Sequence, residues 1–296
     1  MKKRTAFIGA ILSLLPIGGQ PIFFKTGIVL SSAGLMLSVP ENLFAKDANY
    51  YFQRAYKKAE RGDHYGAISD YSKVIEINPK DDEAYYNRGI SKVEIKDYYG
   101  AIADYTKSIE INPKDAEAYY NRGYAKDELK DYYGAIADYT KAIELNPKDD
   151  EAYFNRAYAK DKLKDYPGAI ADYTKAIELN PKDKDAYFNR GYAKDELKDH
   201  YGAIADYTKA IELDPKDAEA YANRGYAKDE LRDYSGAIAD YTKAIELDPR
   251  DWMSYKNRSI SKENIGDIQG ACIDAKKAVS FGDESSDNKS WIKDNC

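Results

Sequence analysis

Six times along this chain an asparagine is followed by an arginine, at Asn87-Arg88, Asn121-Arg122, Asn155-Arg156, Asn189-Arg190, Asn223-Arg224 and Asn257-Arg258, and successive pairs stand 34 residues apart. The two side chains offer different chemistry. An amide carries two N–H donors and a carbonyl acceptor, which complements the N–H and C=O groups of an extended polypeptide, so a row of amides can hold main chain with little regard to its sequence. A guanidinium is a permanent cation that needs a set anionic partner once it is buried. An aspartate recurs at the same period, from Asp70 and Asp104 to Asp274, and each arginine is expected to pair with one of these, in its own unit or an adjacent one. Groups for bond-making chemistry do not gather. His64 and His200 are four periods apart, whereas metal ligands must converge within a few ångströms. No glycine-rich phosphate loop is present, and paired carboxylates such as Asp81-Asp82 fall at unit junctions, where they read as helix caps. The expectation is binding, with no catalysis, cofactor or metal.

A period of 34 residues is that of a helical solenoid, and the rest of the pattern keeps the same phase. In the unit over residues 82–115, Ala84, Tyr85, Arg88, Gly89 and Val93 recur at helical spacing in a first helix. Asp97 caps a second helix carrying Ala101, Ile102, Tyr105, Ile109 and Ile111, and Asn112-Pro113 ends it. This pattern resembles the tetratricopeptide repeat family. The resemblance implies an all-α, right-handed superhelical solenoid of antiparallel helix pairs, with seven repeats over residues 48–283 and a short tail over 284–296. Gly89 and Ala101 are small where the family packs its paired helices closest, and Tyr85, Tyr98 and Tyr105 are expected between neighbouring units. Gly100 and its equivalents, Gly66 to Gly270, stand in the first turn of the second helix. A glycine there costs roughly 1 kcal/mol against alanine, so it implies close approach by Tyr99 or by the preceding repeat.

On the first helix Glu83, Tyr86, Asn87 and Ile90 share one face, as do Glu117, Tyr120, Asn121 and Tyr124 in the next unit. In the tetratricopeptide family this face lines a concave groove. The resemblance therefore assigns to a peptide-binding groove the ladder Asn87, Asn121, Asn155, Asn189, Asn223 and Asn257, with Tyr120, Tyr124, Tyr158, Tyr192 and Tyr226 beside it. Glu117, Asp127, Glu151, Asp161, Asp185 and Asp195 would favour basic or neutral segments over acidic ones. A second reading of the amides stays open: they satisfy backbone groups of the next repeat. Members of the family that clamp acidic chaperone tails use Lys and Asn on this groove. Here Phe52, Tyr86 and Tyr120 replace the first Lys, and Ile90 and Tyr124 the first Asn, so that partner is not expected.

The net charge of −6, with 45 basic residues interleaved among 51 acidic ones, argues against a nucleic-acid partner. Residues 1–45 differ from the rest. Lys2, Lys3 and Arg4 precede apolar stretches over 5–24 and 26–39, the pattern of an export signal cleaved after Ala45 or of a retained membrane anchor, and both place the repeats outside the cytoplasm. Cys272 takes the column of Ile102, Ile136 and Ile170 and reads as a small core residue; its pairing with Cys296 in an oxidising compartment stays open. The function expected is that of a non-catalytic scaffold holding an extended polypeptide. The alternative is an assembly factor for membrane or envelope complexes, or an array that joins itself through its ends and convex face by Trp252, Phe281 and Trp291.

Overall fold

The computed structural model describes residues 47–296; the N-terminal segment read as a signal or anchor lies outside the described residues. Every regular element among the described residues is an α-helix. The chain divides into two compact units, one ending at Ala159 and one starting at Lys160, with the division inside α7 (Asp150–Lys162). The N-terminal unit pairs α1 (Ala48–Glu60) with α2 (His64–Ile77), α3 (Asp82–Glu94) with α4 (Tyr98–Ile111), and α5 (Ala116–Glu128) with α6 (Tyr132–Leu145). The C-terminal unit holds α8 (Tyr166–Leu179), and pairs α9 (Lys184–Glu196) with α10 (His200–Leu213), α11 (Ala218–Glu230) with α12 (Tyr234–Leu247), and α13 (Trp252–Asn264) with α14 (Ile268–Ser280). A last helix, α15 (Ser286–Asn295), packs on α14.

Each repeat is built by the same local rules. The Asp81 carboxylate accepts from the Ala84 N–H at 2.9 Å to open α3, and Asp97 accepts from Gly100 N–H at 3.0 Å to open α4. The chain reverses between them through Lys96 at φ 62°, a left-handed conformation that costs a non-glycine residue roughly 1 kcal/mol. Lys130, Lys164, Lys198 and Arg232 repeat it, while Gly62 and Gly266 fill the same column in the first and last repeats. Gly100 has a different cause from either neighbour considered above. A Cβ there would lie 2.1 Å from the Asp97 carboxylate, so the glycine makes room for the cap itself. Gly89 is small because a Cβ would come within 2.7 Å of the Tyr105 ring, which is fully buried.

Residues 284–296, expected as a short tail, carry α15, which packs on the last repeat. Trp291 is buried against Ala271 and Ala275, and its indole N–H donates to Glu263 Oε1 at 2.8 Å. Asn288, fully buried, donates to the Ala275 carbonyl and to Asp283, and a disulfide joins Cys272 to Cys296. This corrects the reading of Trp291 as a surface anchor for self-association: it is spent inside the last repeat. Phe281 packs on Tyr255 at 5.6 Å, and the Lys256 ammonium lies over the Trp252 ring at 5.9 Å.

Candidate functional site

Six arginines of the column, from Arg54 to Arg258, pair with a second-helix aspartate. In the N-terminal unit Arg88 grips Asp104 with two bonds of 2.9 and 2.7 Å, and Arg122 grips Asp138 with bonds of 2.9 and 2.6 Å. In the C-terminal unit Arg190, Arg224 and Arg258 hold Asp206, Asp240 and Asp274 in the same fork. A lysine one turn along joins each carboxylate, such as Lys92 at 2.7 Å from Asp104 and Lys194 at 2.8 Å from Asp206. The remaining guanidinium nitrogen donates to a hydroxyl of the preceding repeat, Arg88 to Ser72 and Arg190 to Thr174. Two-point carboxylate contact within the repeat plus a third bond to the preceding one makes these cations ties between repeats.

The amide column is less uniform. Asn121 Nδ2 donates to the Tyr86 hydroxyl at 2.9 Å and Asn155 Nδ2 to the Tyr120 hydroxyl at 2.7 Å, each reaching a residue 35 positions upstream. Those phenols in turn donate to Glu117 at 3.2 Å and Glu151 at 3.4 Å. Asn87 has Phe52 at that upstream position, which lacks a hydroxyl, and donates to the Glu83 carbonyl of its own helix at 2.9 Å. Asn189 likewise bonds the Asp185 carbonyl at 2.9 Å. Asn223 and Asn257 have Phe188 and Ala222 upstream.

Burial follows that division and corrects part of the groove assignment. Asn87, Asn121, Asn155 and Asn257 are buried, whereas Asn189 and Asn223 are half-buried. The face bearing the first three is a packing face: the Tyr86 and Tyr120 rings sit 5.9 and 5.7 Å from Tyr105 and Tyr139 of the second helix, and their hydroxyls take the amides of Asn121 and Asn155. Tyr120, Tyr124, Tyr158 and Tyr192 are half-buried, and Tyr226 is buried. Burial first, then nearby carboxylates such as Glu128, raises the phenol pKa of Tyr124, and Tyr192 and Tyr226 are raised in the same way.

Models of the tetratricopeptide repeat match residues 116–149, 150–183, 185–217 and 218–251, and a further TPR repeat model matches 55–96 and 92–127. The chain belongs to the tetratricopeptide repeat family. That membership gives it a protein-interaction role. A comparison with curated protein sequences gives no match. Similar solved structures include a MamA protein, 29% identical with a TM-score of 0.55 over 58% of this chain and 94% of that one. YrrB, described as a TPR protein with an unusual peptide-binding site, is 24% identical with a TM-score of 0.58 over 62% of this chain and 95% of its own. The C-terminal part of a TPR repeat-containing protein from Cytophaga hutchinsonii reaches a TM-score of 0.70 at 18% identity, covering 81% of this chain and 98% of that one. The last two likenesses carry the fold alone.

One carboxylate column of these tetratricopeptide repeats runs along the first helices through Asp127, Asp161, Asp195 and Asp229. Burial raises the Asp161 carboxyl to about 6 and that of Asp229 to about 6, with the Ser261 hydroxyl at 2.9 Å opposing the rise at Asp229. Burial also raises Asp195, against the pull of His200 Nδ1 at 2.6 Å. The lysines of the same helices are committed to the second-helix aspartates, Lys194 to Asp206 and Lys228 to Asp240. His64, the other histidine, stands in the N-terminal unit on α2.

Proposed function

We propose that this protein is a non-catalytic scaffold that holds an extended, basic or neutral polypeptide on the first-helix face of its C-terminal unit. The observation that carries the reading is that Asn189 and Asn223, with Tyr192 one turn from Asn189, are only half-buried and have no phenol upstream to take their amides. Main-chain groups of the partner bond the amides, the phenol ring adds apolar area at low entropy cost, and the net negative charge of the chain favours lysine side chains. The acidic net charge disfavours nucleic acid and acidic peptides alike. The reading includes export or membrane tethering through residues 1–45, with the repeats outside the cytoplasm; the Cys272–Cys296 disulfide supports an oxidising compartment. Among the described residues no helix is long and apolar enough to cross a membrane.

The test uses two labelled probes of equal length, a lysine-serine repeat and a glutamate-serine repeat, with binding to the full chain followed by fluorescence anisotropy. The lysine probe binds more tightly, and the double variant Asn189→Ala, Asn223→Ala weakens it about thirtyfold, each amide contributing about 1 kcal/mol. Tighter binding of the glutamate probe, or an unchanged affinity in the double variant, sinks the reading.

A further inference from the structure

The last repeat departs from the chain's own pattern in two columns, and both departures meet α15. The second helix of every earlier repeat carries an isoleucine, from Ile68 through Ile102 to Ile238, followed three residues later by a buried tyrosine, from Tyr71 through Tyr105 to Tyr241. In α14 the isoleucine is Cys272 and the tyrosine is Ala275. Trp291 of α15 packs on Ala271 and Ala275, and Cys296, just past the end of α15, is bonded to Cys272. The ring missing from the last repeat is thus returned by α15, and both cysteines of the chain are spent on this one contact.

Without the covalent bond α15 has little to hold it. It is 10 residues long, a length at which a helix is marginal by itself, and Ser285 opens it with no side-chain cap bond, whereas Asp251 and Asp267 cap α13 and α14. Trp291 and the half-buried Ile292 seat it, with the Asn288 amide on the Ala275 carbonyl and the Trp291 indole on Glu263. These contacts must offset the entropy of ordering the whole segment. Its joint to α14 passes through Gly282 at φ 119°, a backbone state that glycine takes without strain. Linking two residues 24 apart removes freedom from the undocked chain and favours the docked helix on the order of a hundredfold. The bond also lies within reach of a reagent, since Cys296 is exposed and Cys272 is half-buried.

We propose that the Cys272–Cys296 bond is a redox latch that keeps α15 seated on the last repeat, and that its reduction by a dithiol frees the helix. One thiolate of the dithiol attacks the exposed Cys296 sulfur, and Cys272 leaves with the bonding pair and takes a proton. The second thiol of the reagent then displaces Cys296 as a thiol, so two electrons and two protons pass to the protein and the reagent is left as its own disulfide. Release uncovers Trp291 and the face of Ala271 and Ala275, which the oxidised chain keeps buried. The end of the array is therefore closed in an oxidising compartment and open in a reducing one. The latch goes beyond the scaffold reading and does not depend on it.

The test follows the Trp291 indole N–H of the full chain by NMR before and after dithiothreitol, with Trp252→Phe assigning the signal and alkylation with mass measurement counting the free thiols. In the oxidised chain this N–H exchanges slowly, and after reduction its exchange accelerates about a hundredfold. Cys296→Ser gives the reduced behaviour with or without dithiothreitol, while the backbone amides of α9 to α12 stay protected in every sample. Equal protection of Trp291 in the oxidised, reduced and Cys296→Ser chains overturns the latch, as does a disulfide that dithiothreitol leaves intact in the folded protein. Loss of protection through α9 to α12 on reduction overturns it as well, because the bond would then hold the repeats together and not α15 alone.

Discussion

In the N-terminal unit Asn121 and Asn155 give their amide N–H to phenols one repeat upstream, whereas in the C-terminal unit Asn223 and Asn257 face Phe188 and Ala222 across the same register. The arginine–aspartate forks are alike in both units, with Asp104 and Asp138 as well buried as Asp206 and Asp240. Two columns of one repeat thus behave differently. The ionic column is structural wherever it occurs, because each arginine carries its partner in its own repeat. The amide column depends on a residue contributed by the preceding repeat, and where the hydroxyl is missing, as for Asn87 and Asn189, the amide turns to a carbonyl of its own helix.

The largest effect is expected where the units agree. Asp138→Ala in one unit and Asp206→Ala in the other leave an arginine and a lysine buried without their shared carboxylate, and each costs about 3 kcal/mol by denaturant unfolding. Unequal losses would mean that the ionic columns are not equivalent after all.

The pH response comes next, and it belongs to the C-terminal unit. A carboxyl whose folded-state pKa exceeds its unfolded value binds protons on folding, so its contribution is present below about 4 and is lost as pH rises through about 6. The double variant Asp161→Asn, Asp229→Asn is therefore more stable than the parent at pH 7, by about 2 kcal/mol for the pair after allowance for partial exposure, and the advantage shrinks toward pH 4. Thermal melts of both proteins from pH 4 to pH 7.5 measure it; parallel curves would place the carboxyl burial elsewhere.

The sequence displayed the array well because many columns repeat in phase, and the arginine–aspartate pairs were legible because a buried cation must be matched. The face of the amides was not. A stripe at i, i+3, i+4 and i+7 states which residues lie together, yet on a helix packed on both sides it does not say whether that face meets solvent or the neighbouring repeat. The signal that separates them lay in another column, the alternation of Tyr86 and Tyr120 with Phe188 and Ala222. Gly100 was misjudged for a related reason: its neighbour is the Asp97 cap three residues away, a contact made by local geometry rather than by packing. The helix over 286–295 escaped notice because a polar segment reveals its fold only through Trp291 and the Cys272–Cys296 bond.

A smaller change exchanges the amide environments. Tyr120→Phe removes the Asn155 partner and costs about 1 kcal/mol, while Phe188→Tyr offers Asn223 a hydroxyl and recovers about as much in the other unit. Chemical denaturation of both variants decides it, and a stabilised Tyr120→Phe protein would contradict the internal-strut role. Smallest of all, Lys130→Gly and Lys198→Gly relieve the left-handed turns at φ 62° and 66°, for a gain of under about 1 kcal/mol each, since glycine also loses more entropy on folding. The gain should be the same in both units, and a loss at either would show that its lysine makes a contact of its own.

The most direct measurement is side-chain amide hydrogen exchange by NMR on the full chain, because it reads each asparagine without any ligand. Asn121 and Asn155 should exchange slowly, Asn223 should exchange rapidly, and Tyr120→Phe should bring Asn155 toward the rate of Asn223. Equal protection at Asn155 and Asn223, unaltered by Tyr120→Phe, would contradict the division between the phenol-bonded amides of the N-terminal unit and Asn223, which has none upstream.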